Sequence, residues 1–220
     1  MDLGDPIPRT VQEDPPIDET TTEPKDTTNP SPTKQDEAIA LQTKGTAYMK
    51  SLLQDSSSAS NQPLKNPLAV VASLVDNPYN LGGLSRASEI FGASTLYVRD
   101  PRVVSAKDFT SVSVSSHNHI EILPLTPQEL PAWLAGKKSE GWTVVGIEQT
   151  DRSVLLGAEE AVLPKKTILV LGSEREGMPA VALSECDLLV EIPQQGLTRS
   201  LNVQTAAAIV LYEYGRQHIK

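Results

Sequence analysis

Three segments of this 220-residue chain gather the residue types that do chemistry. The first, "DNPYNLGGLSRASEIFGAS", holds Asn80, the pair Gly82–Gly83 and Arg86. Asn80 is placed to cap the helix that follows, and the glycines let the backbone turn tightly. Arg86 comes six residues after Asn80, pointing either back over the loop or out to solvent. A guanidinium over the loop would grip a phosphate in a bidentate manner; one turned outward is an ordinary surface arginine. The second, "LVLGSEREGMP", sets Glu174 between Gly172 and Gly177. It has neither the G-x-G-x-x-G fingerprint nor the lysine and hydroxyl of a P-loop, so a nucleotide-phosphate role is weak. Binding of an adenosine or amino-acid group through backbone amides and carbonyls stays open. In the third, "EIPQQGLTRSLNVQTAAAIV", Ser200 and Asn202 flank Leu201 just before an alanine-rich stretch. Asn202 either holds a ligand hydroxyl or caps the helix, and Ala206–Ala208 let another backbone pack closely.

These loops need rigid strands and helices behind them. Short apolar, β-branched runs recur from residue 63 onward: "LAVVASLV", "STLYV", "WTVVGI", "TILVLG" and "DLLVEI". They predict strands at 68–75, 95–98, 120–123, 143–147, 167–171 and 188–192. Helices are expected at 84–91, 105–114, 126–140 and 200–217. The third of these has a capping box, Thr126 with Glu129, Pro127 at its first position and Gly141 just past its end. Apolar strands alternating with helices indicate an α/β fold, a mostly parallel sheet with helices on both faces. All three loops fall after strands, at the carboxyl ends where ligands bind in such sheets.

Residues 1–62 are different. Pro, Thr, Asp, Glu and Ser dominate, and apolar residues are too sparse to offset the ordering entropy, so a disordered N-terminal tail is expected, with at most a marginal helix over 37–53. The domains are then 1–62 and 63–220. Residues 1–60 hold 5 Lys/Arg and 11 Asp/Glu, while the remainder hold 14 and 17. The net charge of −9 is thus concentrated in the tail, yet the folded part is not basic either. That argues against tight autonomous binding of nucleic acid. The single cysteine, Cys186, excludes an intramolecular disulfide framework and a cysteine-based zinc site, and reads as a small buried filler. His117, His119 and His218 have no metal-ligand spacing, so no metal is expected; His117 and His119 share a face if that stretch is extended. Tyr212 and Tyr214 read as packing residues rather than base-stacking platforms. No apolar run is long enough to span a membrane, and no signal peptide or transit peptide is visible, so a cytoplasmic setting is expected, with the nucleus as the alternative.

Taken together, "NPYNLGGLSRASEIFGA", "LVLGSEREGMP" and "IPQQGLTRSLNVQTAAAIVLYEY" resemble motifs one, two and three of the SPOUT class of methyltransferases, the TrmH-like RNA ribose 2′-O branch. The likeness runs from about residue 68 to 217. "GWTVVGIEQT" and "IPQQG" are most similar to the C-terminal domain of the large eukaryotic tRNA guanosine-18 enzymes, the TAR-RNA-binding-protein type. Those relatives carry a long helical extension ahead of this domain. The resemblance implies a deep trefoil knot at the C-terminal part of the sheet, a homodimer, S-adenosyl-L-methionine as methyl donor, and RNA as substrate. The tRNA D-loop guanosine comes first, ribosomal RNA is the alternative, and a non-catalytic RNA- or protein-binding module on the same fold is a further one. It implies that Leu171, Gly172, Ile192, Pro193 and Leu201 hold the donor. It also implies that Asn80, Arg86, Glu174, Ser200 and Asn202 form the catalytic polar set. With so few cations (Arg86, Lys137, Lys138, Arg175, Arg199), an accessory protein is the further expected partner.

Overall fold

A computed structural model describes residues 65–198 and 200–218. The expected tail at 1–62 and the side chain of Arg199 lie outside the described residues. Seven strands form one sheet: β1 (Asn66–Val71), β2 (Ala93–Val98), β3 (Glu121–Pro124), β4 (Thr143–Ile147), β5 (Val154–Leu155), β6 (Thr167–Leu171) and β7 (Leu188–Glu191). Their order is β3-β2-β1-β6-β4-β7-β5, and every paired strand is parallel. Helices α1 (Pro78–Ile90), α2 (Lys107–Ser113), α3 (Leu130–Ser139), α4 (Ala180–Leu183) and α5 (Val203–His218) cover it.

The central strands are apolar over most of their length, so the middle of the sheet is buried on both faces, and alternate side chains enter opposite layers. Leu68 and Val70 on β1, and Ala72 just past it, join a core with Leu84, Phe109, Val210, Leu211 and Tyr214 from α1, α2 and α5. Ala69 and Val71 enter the other layer with Leu130, Leu134, Met178 and Ala182, beneath α3 and α4. Tyr214 ties α5 down: its hydroxyl donates to the Lys165 carbonyl at 2.6 Å.

Several boundaries differ from expectation for local reasons. The run 68–75 reads as one strand, but β1 ends at Val71; Leu74 and Val75 are buried in the turn that follows, so their apolar character reflects burial and not pairing. Helix α1 begins at Pro78, six residues earlier than expected. The expected helix at 126–140 starts at Leu130, yet the capping box forms one turn ahead of it. The Glu129 carboxylate accepts from the Thr126 N–H at 3.1 Å and from its hydroxyl at 2.6 Å. At the other end Gly141 (φ +82) closes the helix: its N–H reaches the Lys138 carbonyl, and the Trp142 N–H reaches Lys137. The two-residue strand β5 was not expected, since a segment that short has no periodicity to read. His117 sits in a 3₁₀ turn, Ser116–Asn118, not in an extended stretch; its Nδ1 pairs with the Ser113 hydroxyl at 3.0 Å.

Candidate active site

The site is built where β1, β4, β6 and β7 end. In the first loop the helix cap is Asn77, not Asn80. The Asn77 Oδ1 accepts the Tyr79 N–H at 3.0 Å, and Pro78 takes the first helical position, where a missing N–H costs nothing. Asn80 is therefore inside the first turn of α1, 5% exposed, with its amide free to bond across the site. Gly82 and Gly83 are helical too. They permit packing rather than turning: a Cβ on Gly82 would collide with the Phe109 carbonyl of α2, and one on Gly83 with the Gln204 side chain of α5.

The second loop is a tight hairpin. The Ser173 N–H donates to the Gly177 carbonyl at 2.9 Å and the Gly177 N–H returns to Ser173 at 3.1 Å. Gly177 sits at φ +69, and a Cβ on Gly172 would lie 2.7 Å from the Gly177 carbonyl carbon, so both glycines are required by the turn's closeness. From the end of β4, Glu148 braces it: Oε2 accepts the Met178 N–H at 2.9 Å. Sequence reasoning missed Glu148, because no local pattern reveals that β4 and β6 are neighbours.

In the third loop Asn202 caps α5, its Oδ1 accepting the Gln204 N–H at 2.9 Å and its carbonyl accepting the Ala206 N–H. Its Nδ2 donates to Asn80 Oδ1 at 3.0 Å, and Asn80 Nδ2 donates in turn to Glu174 Oε1 at 2.8 Å. Three of the five expected catalytic residues thus form one hydrogen-bonded relay from α5 through α1 to the hairpin.

Beside the relay is a cavity of about 540 Å³, within the usual range for a small-molecule site. Leu171, Gly172, Ile192 and Leu201 line it, as do Glu174, Ser200 and Asn202. Pro193 is exposed next to Ile192 and is not among the lining residues. Arg86 is exposed on α1, outside the cavity, and makes no ion pair with any described residue. Glu148, Glu191 and Gln194 line the wall without having been expected. Among the described residues, four glutamates (148, 174, 176 and 191) face one arginine, Arg175, so the cavity favours a ligand that carries positive charge. Cys186 packs behind β4, its Sγ 3.7 Å from the Met178 Sδ; burial, and then the Asp187 charge, push its thiol up to about 12. Tyr214 is buried as expected, whereas Tyr212 is 60% exposed and meets Phe91 edge-on.

An all-parallel sheet with a cavity at its carboxyl edge, lined by the second and third loops and the ends of β4 and β7, defines a ligand-binding α/β domain. The SpoU rRNA methylase family matches residues 67–212, and the chain belongs to that family. It is 46% identical over 152 residues, 69% of its length, to the tRNA (guanosine(18)-2′-O)-methyltransferase of Mus musculus. The chain spans only 10–12% of the length of that enzyme and of a similar one in Saccharomyces cerevisiae. Among solved structures it is similar to the A. aeolicus TrmH/SpoU tRNA modifying enzyme, with a TM-score of 0.63, 27% identity, and 78% of this chain and 84% of that one covered. An AdoMet-bound rRNA methyltransferase from Sinorhizobium meliloti superposes with a TM-score of 0.60 at 26% identity, covering 72% of this chain and 59% of that one. Among the described residues no helix is long and apolar enough to cross a membrane.

Proposed function

We propose that the chain is an S-adenosyl-L-methionine-dependent RNA ribose 2′-O-methyltransferase, acting on the D-loop guanosine of tRNA. The observation that carries this reading is the acid-lined cavity joined to the Asn202–Asn80–Glu174 relay. The donor fits this lining. Its sulfonium and ammonium suit the glutamates, and its adenosine suits the apolar wall of Leu171, Ile192 and Leu201 and the close backbone at Gly172. Bound there, it would supply an already activated methyl group, and no metal is invoked.

The chain's own task is then to place a ribose hydroxyl and manage its proton. Holding the reacting groups in line supplies the proximity term. Asn80, locked by two partners, positions the nucleotide. Glu174, Ser200 and Asn202 order the loops. Arg86 orients an RNA phosphate and stabilises the developing alkoxide with its guanidinium N–H donors. Because Arg86 lies outside the cavity of its own chain, this role supports a homodimer in which a second copy supplies it. The insertion of β6 between β1 and β4, with the chain then returning to α5 against α1, supports a deep trefoil knot. The weak cationic character supports an accessory protein that adds RNA affinity. A cytoplasmic setting, with the nucleus as the alternative, is part of the same reading, and imaging of a tagged chain tests it.

Purified protein incubated with labelled S-adenosyl-L-methionine and unmodified tRNA should incorporate label at a D-loop guanosine ribose. Incorporation only into ribosomal RNA fragments would move the substrate to the family's other branch. Donor binding with no transfer to any RNA would favour a non-catalytic module.

A further inference from the structure

The sheet has a second crevice, on the other side of the Ser173–Gly177 hairpin. Strand order sets β1 between β2 and β6. From β1 the chain proceeds to β2 and β3 on one flank; from β6 it proceeds to β7 on the other. The β1–β6 boundary is thus where connections diverge, and in open parallel sheets ligands bind outside the carboxyl ends at such a point. A cavity of about 820 Å³ lies there, walled by Asp76 and Asn77 after β1, Arg99 after β2, and the hairpin after β6. Residues Ser173 to Gly177 line both cavities, so the two adjoin along the hairpin.

The chemistry of the lining selects among ligands. Asp76, Glu174 and Glu176 set three carboxylates against the guanidiniums of Arg99 and Arg175, which disfavours a bare phosphate. The mixture suits a base that offers acceptors on one edge and donors on another. Guanine does this: O6 and N7 accept from an arginine fork, while its N–H groups donate to a carboxylate. Arg99 is prepared for that role. Asp76 Oδ1 accepts from its Nη1 at 2.6 Å with both side chains part-exposed, which leaves its other N–H groups for a ligand. Adenine, with an amino group in place of O6, would set donor against donor.

We infer that the β1–β6 crevice is the acceptor-nucleotide site, a guanine-reading pocket in which Arg99 addresses the O6/N7 edge. The inference rests on the methyl-transfer reading, and one set of titrations separates the two. The full chain is titrated with guanosine, adenosine and cytidine 5′-monophosphates, and separately with S-adenosyl-L-methionine. Guanosine monophosphate should bind more tightly than the other two. Arg99→Ala should weaken it about tenfold, the loss expected for a bidentate arginine–guanine pair, and erase the preference. Donor affinity should not change, which also serves as the control that the variant is folded. Equal binding of the three nucleotides, no binding of any, or an unaltered guanosine preference in Arg99→Ala overturns the inference. Donor binding without a guanine preference would leave the methyl-transfer reading standing. A guanine preference with no transfer to any RNA would do the reverse.

Discussion

Asn80 and Asn202, 122 residues apart in the chain, meet amide to amide at 3.0 Å. The orientation of both amides is dictated by the ends of the relay. The Gln204 N–H can only donate, which assigns Asn202 Oδ1 to it; at the other end Asn80 Nδ2 donates to Glu174 Oε1. One direction of donation therefore runs from the start of α5 to the hairpin.

That polarity separates two roles of Asn202. Aspartate is as good a helix cap as asparagine, but it has no N–H to offer Asn80. Asn202→Asp should keep the thermal transition within a few degrees of wild type while losing a part-buried bond worth about 1 kcal/mol, so methyl transfer falls about fivefold. A wild-type rate in this variant would remove the relay from the mechanism.

Arg86→Ala tests the other half of the site. Because the side chain is exposed and outside the cavity, donor affinity and stability should stay at wild-type levels while turnover is abolished. Calorimetry with the donor, beside a transfer assay, distinguishes this from a loss of folding. Undiminished turnover would show that Arg86 is only a surface residue.

The brace between β4 and the hairpin should be visible in stability. Gly177→Ala forces a side chain into φ +69, with its Cβ 2.6 Å from Glu148 Oε2. A cost of about 1–3 kcal/mol is expected in denaturant unfolding. Glu148→Ala removes the collision as well as the acceptor for Met178, so the double variant should be less damaged than the sum of the two singles. Strict additivity would mean that the two residues do not act on each other.

Cys186 sets an alkaline limit. Unfolded, a cysteine ionises near pH 8.5; in the fold, burial foremost pushes the thiol up to about 12. Between those values the unfolded chain holds fewer protons than the native one, so stability falls as pH rises. The stabilisation is full below the unfolded pKa and is lost on the way to the folded one. Replacing Cys186 with Ala should flatten unfolding free energy between pH 8.5 and 11, at about the cost of a small cavity. In the native wild type, Ellman's reagent at pH 8 should react slowly, and rapidly once denaturant is added.

The periodic features were legible in the sequence. Parallel strands, the Thr126–Glu129 box and the Gly141 stop all follow from local rules, and they appear within a few residues of expectation. Leu171, Gly172, Ile192 and Leu201 were implied only by the resemblance, and they line the cavity. Non-local facts were not legible. Asn80 was read as a cap because it precedes the apolar helical pattern, although Asn77-Pro78 is the better N-terminal signal. Glu148 lies in the quoted GWTVVGIEQT segment but with no role assigned, and Arg99 carries no motif; each matters because strands distant in sequence lie side by side. Pro193, implied with Ile192 by the resemblance, is exposed beyond the end of β7 and is not among the lining residues.

The pairing of β1 with β6 also has a consequence for biosynthesis. Leu68 is matched with Thr167, so the middle of the sheet cannot close until nearly a hundred residues of intervening chain exist. During translation the first three strands emerge with one edge unsatisfied, and neither cavity is complete until the Ser173–Gly177 hairpin leaves the ribosome. Such long-range closure is slow. The nascent domain therefore acquires its recognition surfaces late and together, at the stage when the last helix can dock, and a chain stalled before that point presents an open strand edge to chaperones rather than a partly working site to RNA.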